Sequence, residues 1–207
     1  LMTHLKDRLS AVGLRPKAWF GPGAIATALF QRESIKEYMA ESPMSVRLYS
    51  ARAYFGGRFE PFKFGIMEQP VWQYDINSAY PAALRNVPSL AHGYWREDDE
   101  WNGTVEPFGM YRVKWAVGGG ININIPGPFP WRDPKGNIFY PTMGETVVWS
   151  PELSAAFDYA AKTGMRIEVL DAKVFVPDEN APKPFAFVQE LYDERRARKA
   201  AGDGAEK

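Results

Sequence analysis

The chain has 207 residues, 45% of them apolar and 14% aromatic, with 25 basic and 25 acidic side chains and a formal net charge of zero. That length can bury a core in one domain or two small lobes, and the composition excludes a disordered tail. Zero net charge excludes a globally basic nucleic-acid surface but leaves room for a local basic groove. There is no cysteine, so disulfides and thiolate metal sites are excluded, and a reducing compartment is suited. No apolar run approaches the ~20 residues of a membrane span, and no signal peptide stands out, which reads as a soluble, cytoplasmic chain without a membrane partner.

In chain order, helical spacing of Ile25, Ala28, Leu29, Ile35 and Met39 predicts a helix over 24–40, opened by Gly21-Pro22-Gly23. Tyr54-Phe55-Gly56-Gly57-Arg58 reads as an extended, glycine-broken stretch leading to a turn around Pro61. Val71 to Ile76 reads as a short buried strand, followed by a helix from about Ser78 that ends before Pro88. The middle is β-rich. Tyr111, Val113, Trp115 and Val117 alternate with Arg112, Lys114 and Ala116, and after a Gly118-Gly119-Gly120 break Ile121, Ile123 and Ile125 alternate with asparagines.

Asp133-Pro134-Lys135-Gly136-Asn137 is a turn between two extended runs. Ser150-Pro151 reads as an N-cap and first-turn proline, with an apolar face of Leu153, Ala156, Phe157 and Ala160 and a stop at Gly164. Met165, Ile167 and Val169 form a further strand, and the last helix runs from about Pro184 to Ala200. The order is α+β, without regular βαβ alternation.

Chemistry concentrates at Asp75. A carboxylate at a strand end suits a hard cation such as Mg²⁺, and the helix start just beyond it offers free N–H groups to phosphate oxygens. A metal ligand beside a phosphate cradle is what nucleotidyl transfer needs. Taken alone, Asp75 reads equally as a cap and Tyr80 as a core aromatic. Gly56-Gly57 alone reads as a plain turn, and the Arg195–Lys199 run as a solvated face.

Tyr74-Asp75-Ile76-Asn77-Ser78-Ala79-Tyr80-Pro81 resembles the D-x-x-S-L-Y-P motif A of family B DNA polymerases, departing at Ala79, where leucine is usual, and at Ala82, where serine is common. Tyr54-Phe55-Gly56-Gly57, 18 residues upstream of Asp75, resembles the family's Y-x-G-G element. Leu191 to Lys199 resembles the first fingers helix. The Arg58-Phe59-Glu60 continuation looks most like the protein-primed, phage and plasmid branch.

The resemblance implies a two-metal Mg²⁺ site with Asp75 as catalytic metal ligand and the Ile76 carbonyl beside it. It implies a triphosphate held by the Ser78–Ala79–Tyr80 backbone and by Arg195, Lys199 and Lys207, with the Tyr80 ring under the sugar. Tyr54, Gly56, Gly57 and Arg58 would contact template DNA. The implied partners are primer–template DNA, deoxynucleoside triphosphates and, in the protein-primed branch, a priming protein.

The implied fold is part of a polymerase palm, a mixed sheet with packed helices ending in a fingers helix. Its divisions are 1–50, the helical end of an exonuclease region, 51–183, the palm portion with a β-rich insertion, and 184–207, a truncated first fingers helix. Motif B and the Y-x-D-T-D motif C are not found in these residues, and no exonuclease motif is read in them. The expected function is therefore part of a DNA polymerase, a nucleotidyltransferase of DNA replication, inactive alone. The alternative is a non-catalytic single-stranded or template DNA-binding module on the same fold. Glu97-Asp98-Asp99-Glu100 reads as a solvated acidic turn, and His4 and His92 as structural or exposed.

Overall fold

The alternation read at Tyr111, Val113 and Trp115 builds the central strand of the protein's larger sheet. The computed structural model describes residues 2–19, 21–58, 65–76, 78–118 and 127–201. Helices are α1 (Met2–Ala11), α2 (Pro22–Arg32), α3 (Met44–Arg52), α4 (Ala79–Leu84), α5 (Ser150–Thr163) and α6 (Phe187–Ala200), with a 3₁₀ turn at Ile35–Tyr38. Strands are β1 (Gly93–Asp98), β2 (Gly109–Ala116), β3 (Trp131–Arg132), β4 (Ile138–Phe139), β5 (Met143–Trp149) and β6 (Arg166–Pro177). The class is α+β. The four-stranded sheet has the order β1-β6-β2-β5, and β2 pairs antiparallel with both β5 and β6, where a mixed sheet was expected. The predicted strand over Ile121–Ile125 lies outside the described residues.

The chain forms two compact units. One comprises Leu1–Glu41, Val71–Gly93 and Pro177–Lys207, the other Ser42–Pro70 and Tyr94–Val176. In each unit, contacts group segments far apart in sequence.

The second unit holds the sheet. One face presents Tyr111, Val113, Trp115, Val148, Ala172 and Val174 to α5, whose Leu153 and Ala156 complete a buried apolar core. A register shift lets Arg112 face Asp171 while the next residue, Val113, faces Val169. This bulge absorbs Leu170 and keeps the alternation on both sides of it in phase. Gly164 ends α5 with φ +69, as expected.

Ser150 is not the cap of α5 but its first residue. The Glu152 carboxylate accepts the Trp149 N–H at 2.9 Å. The Ser150 hydroxyl instead accepts the Gly109 N–H at 2.8 Å and donates to the Glu106 carbonyl at 2.5 Å, tying the helix start to the start of β2.

The opposite face carries α3. Val46 and Ala53 pack on Met110 and Val147, while Ser45 and Tyr49, one helical turn apart, meet a polar network. Glu97 accepts hydrogen bonds from the Ser45 hydroxyl at 2.7 Å and the Lys173 ammonium at 2.5 Å. Those two bonds, Lys173 first, hold the Glu97 carboxyl below the usual range. Glu97 and Asp98 therefore belong to a strand and are paired, Asp98 with Arg96 at 2.9 Å, rather than forming the solvated turn expected. Ser45 of α3 and Lys173 of β6 for Glu97, and Arg96 of the same strand for Asp98, supply what a loop would have drawn from water.

Tyr49 donates its hydroxyl proton to Asp171, which also binds Arg112. Burial first, then the hydrogen bond and charge of Asp171, push the Tyr49 phenol up to about 12. The folded chain thus holds this proton more tightly than the unfolded chain, whose phenol sits near 10.0. Its stabilisation is complete below the unfolded value and is lost as pH rises through the folded one. Ultraviolet titration should show a phenol ionising near 12, and Asp171→Asn should return it toward its ordinary value. A late phenol unchanged by Asp171→Asn would disprove the contact.

In the first unit the predicted long helix is broken. α2 ends at Arg32, and Ser34 adopts φ 51, a left-handed conformation that no α-helix accommodates, before the 3₁₀ turn. Ser89 and the Ala91 N–H bond the Tyr38 carbonyl at 3.3 and 3.1 Å, so the turn is fixed by a later segment that helical periodicity does not register. His92 takes a hydrogen bond with Ser89 at 2.8 Å, and His4 is exposed. α4 and α6 fall where the sequence predicts them. Among the described residues, no helix is long and apolar enough to cross a membrane.

Candidate functional site

The apolar run before Asp75 was expected to be a buried strand. It is an irregular, exposed stretch instead: Val71, Trp72, Tyr74 and Ile76 are 74–89% exposed. A strand needs a neighbour to complete its hydrogen-bond ladder, and none of the described strands pairs with this segment. Asp75 is exposed, and among the described residues its carboxylate has no hydrogen-bond or ion-pair partner. The Ile76 carbonyl likewise accepts no backbone hydrogen bond among them. Asn77 lies outside the described residues.

Ser78 caps α4 with φ 55 and ψ 40. A non-glycine residue in this region costs about 1–2 kcal/mol. The Ser78 carbonyl accepts the Ala82 N–H at 3.0 Å, Pro81 has no N–H, and the N–H groups of Ala79 and Tyr80 have no partner among the described residues. Two adjacent donors are thus left pointing away from the helix's own ladder. Tyr80 is 89% exposed and is not a core residue.

A cavity of about 200 Å³ joins α4 to α6, lined by Ser78, Pro81, Ala82 and Arg85 on one side and Val188, Gln189 and Tyr192 on the other. Arg85 donates to the Gln189 side-chain carbonyl across it. Arg195 and Lys199 stand three and seven residues beyond Tyr192 and so continue the face of α6 that lines this cavity. Both are exposed. Their neighbour Arg198 is paired with Glu194. Motif A and the basic helix, 100 or more residues apart in sequence, are therefore partners in one unit. Lys207 lies outside the described residues.

The second unit holds Tyr54, Gly56, Gly57 and Arg58 in an irregular segment after α3. Gly56 has φ +74, which glycine adopts without strain. Tyr54 is 72% exposed, and its carbonyl accepts Arg132 at 2.6 Å. Arg132 also lies 5.1 Å from the Phe55 ring. Arg58 is exposed but engaged: its guanidinium sits 4.0 Å over the Tyr140 ring and donates to the Gly127 carbonyl at 3.3 Å. The sequence offered Arg58 as a phosphate contact. Arg132 was not singled out, because only the β3–β4 hairpin brings it to Tyr54 and Phe55. The Asp133–Asn137 turn that forms this hairpin was legible, and its Asp133 carboxylate accepts the Lys135 and Asn137 N–H groups at 2.8 Å each.

The donor set at Asp75 and Ile76 suits a hard cation. A carboxylate and a backbone carbonyl, both without partners among the described residues, are oxygen ligands of the kind Mg²⁺ takes. Among the described residues there is no group of three or more metal-ligating side chains.

Residues 33–207 match the family described as DNA polymerase type B, organellar and viral, and the chain belongs to that family. It is 27% identical over 152 residues to the DNA-directed DNA polymerase of Enterobacteria phage PRD1 and 26% identical over 119 residues to the primer-independent DNA polymerase PolB of Escherichia coli. Those alignments cover 72% and 55% of this chain but 24% and 13% of the two relatives, so the chain spans a quarter or less of each. No solved structure matches it significantly.

Proposed function

We propose that this chain is the motif A portion of a template-directed DNA polymerase, contributing to deoxynucleotidyl transfer onto a primer 3′-hydroxyl. The observation that carries the reading is the family match, which runs through Asp75 and on through α6. Asp75 and the Ile76 carbonyl would hold Mg²⁺, which when bound neutralises phosphate charge and lowers the barrier to attack by the primer hydroxyl. The N–H groups of Ala79 and Tyr80 and the Ser78 turn orient the triphosphate. Arg195 and Lys199 add positive charge along the face of α6 next to it. The exposed Tyr80 ring is free to lie against the sugar, and Tyr54, Gly56 and Gly57 would follow the template strand.

In this reading the first unit carries palm and fingers elements together, and the partners are primer–template DNA and deoxynucleoside triphosphates. A priming protein is a further partner if the polymerase belongs to the protein-primed branch. The expected outcome of a primer-extension assay is no template-dependent incorporation by the 207-residue chain alone. A longer polypeptide that adds motif B and a second aspartate from motif C should incorporate. Incorporation by the short chain would overturn the half-site reading. A longer polypeptide that binds DNA but never incorporates would favour the non-catalytic binding module.

A further inference from the structure

We propose that the second unit carries a groove for an unpaired stretch of nucleic acid, in which Trp131 stacks on a base and Arg52 and Arg132 hold the flanking phosphates. The groove has a volume of about 350 Å³ and is lined by Arg52, the last residue of α3, and Phe55 beyond it, and by Trp131, Arg132 and Glu145. Its charge is positive where it matters. Glu145 is engaged by Arg112 at 3.3 Å and Lys114 at 3.8 Å, which leaves the two groove arginines uncompensated. Arg52 has no salt-bridge or hydrogen-bond partner among the described residues. Arg132 spends one nitrogen on the Tyr54 carbonyl, so its guanidinium is held in place while other N–H donors remain for a phosphate.

The aromatic side is equally exposed. Trp131 is 39% and Phe139 50% exposed, with their rings 6.5 Å apart and tilted by 40°. Both sit on a two-residue hairpin pair that presents rings at a surface instead of a core. An accessible ring beside guanidinium groups that have no carboxylate partner among the described residues is the combination by which proteins hold single strands without reading their sequence.

This inference rests on the reading that the chain handles DNA, and it moves the phosphate contacts from Arg58, already committed to Tyr140 and Gly127, to Arg52 and Arg132. The groove commits to a single strand and not to an acidic peptide, because a carboxylate ligand would use the arginines and leave Trp131 without a role.

The test is fluorescence anisotropy of the 207-residue chain with a labelled oligothymidylate of about twelve nucleotides at several salt concentrations. Trp131→Ala should weaken binding about tenfold, and Trp131→Phe should restore most of it because the ring is kept. Arg52→Ala should weaken binding and reduce the salt slope by about 0.7, the loss of one single-strand phosphate contact. Binding unchanged by both Trp131→Ala and Arg52→Ala would overturn the proposal. So would an abasic strand of the same length, or polyglutamate, binding as tightly as oligothymidylate, or no binding at all. Primer extension by the longer polypeptide is read independently, so a failed groove leaves the polymerase reading standing, and a failed polymerase leaves the groove measurable.

Discussion

Asp75→Ala, placed in a polymerase that contains this chain, should lower Mg²⁺-dependent nucleotide incorporation by about a thousandfold or more while leaving the fold intact. The two halves of that result come from different observations. The carboxylate is exposed and has no partner among the described residues, so its removal opens no cavity and strands no buried group. Stability should then change by no more than about 0.5 kcal/mol, as for a surface substitution. The chemical loss arises because the metal would lose its charged ligand, and the Ile76 carbonyl cannot replace that charge. Steady-state incorporation and a urea melt on the same preparation separate the two. Activity within tenfold of the parent would remove Asp75 from the catalytic centre, and a large loss of stability would mean it has an undetected structural role.

Gly127→Ala should have the largest effect on stability, about 3 kcal/mol. A β-carbon there would lie 1.9 Å from the Pro141 carbonyl oxygen and 2.8 Å from its carbon, both backbone atoms with no rotamer in which to retreat. The same residue donates its N–H to the Tyr140 carbonyl at 2.8 Å and accepts Arg58, so any shift that relieves the clash also disturbs the ring over which Arg58 lies. The urea midpoint should fall with little change in slope. Gly136→Ala, at a positive-φ turn position open to solvent, gives a comparison in which strain acts without a clash. Equal melting of Gly127→Ala and the parent would show that Pro141 can move.

Much of the sheet was legible because its signals are local. Tyr111, Val113 and Trp115 alternate cleanly, Asp133 to Asn137 form a self-contained turn, and Gly164 adopts the left-handed stop its position after an apolar helix face suggests. The readings that failed depended on partners the local pattern does not contain. Val71 to Ile76 is apolar enough for a strand, yet apolarity predicts burial only when another element arrives to cover it. Ser150 looked like a cap because serine usually is one, but its hydroxyl was claimed by Glu106, just before β2, and by Gly109 at the start of β2. α3 was read only as part of a helical 1–50 segment and without bounds of its own, although Val46, Tyr49 and Ala53 share one face, because its helix is short and its polar residues obscure the period.

The candidate site divides the same way. Asp75, Ile76, Ser78 and Tyr80 were named from a contiguous string, and Arg195 and Lys199 from helical spacing. The contact of α4 with Tyr192 and the meeting of Arg52 with Trp131 and Arg132 arise only from chain folding and have no contiguous signature.

The discontinuity of the first unit bears on how the protein comes to be folded during its synthesis. The second unit has all its segments once the ribosome has released the chain to Val176, and its longest strand pairing, β1 with β6, closes a loop of moderate length. The first unit must wait for Phe187–Ala200 to meet a helix made about a hundred residues earlier. Because each doubling of a closed loop adds only about 0.6 kcal/mol, the delay is chiefly one of time and not of energy. During that interval the face of α4 that meets α6, with Pro81, Ala82 and Arg85, is available to any other nascent chain nearby, which makes the rate of emergence of α6 a determinant of the yield of usable protein.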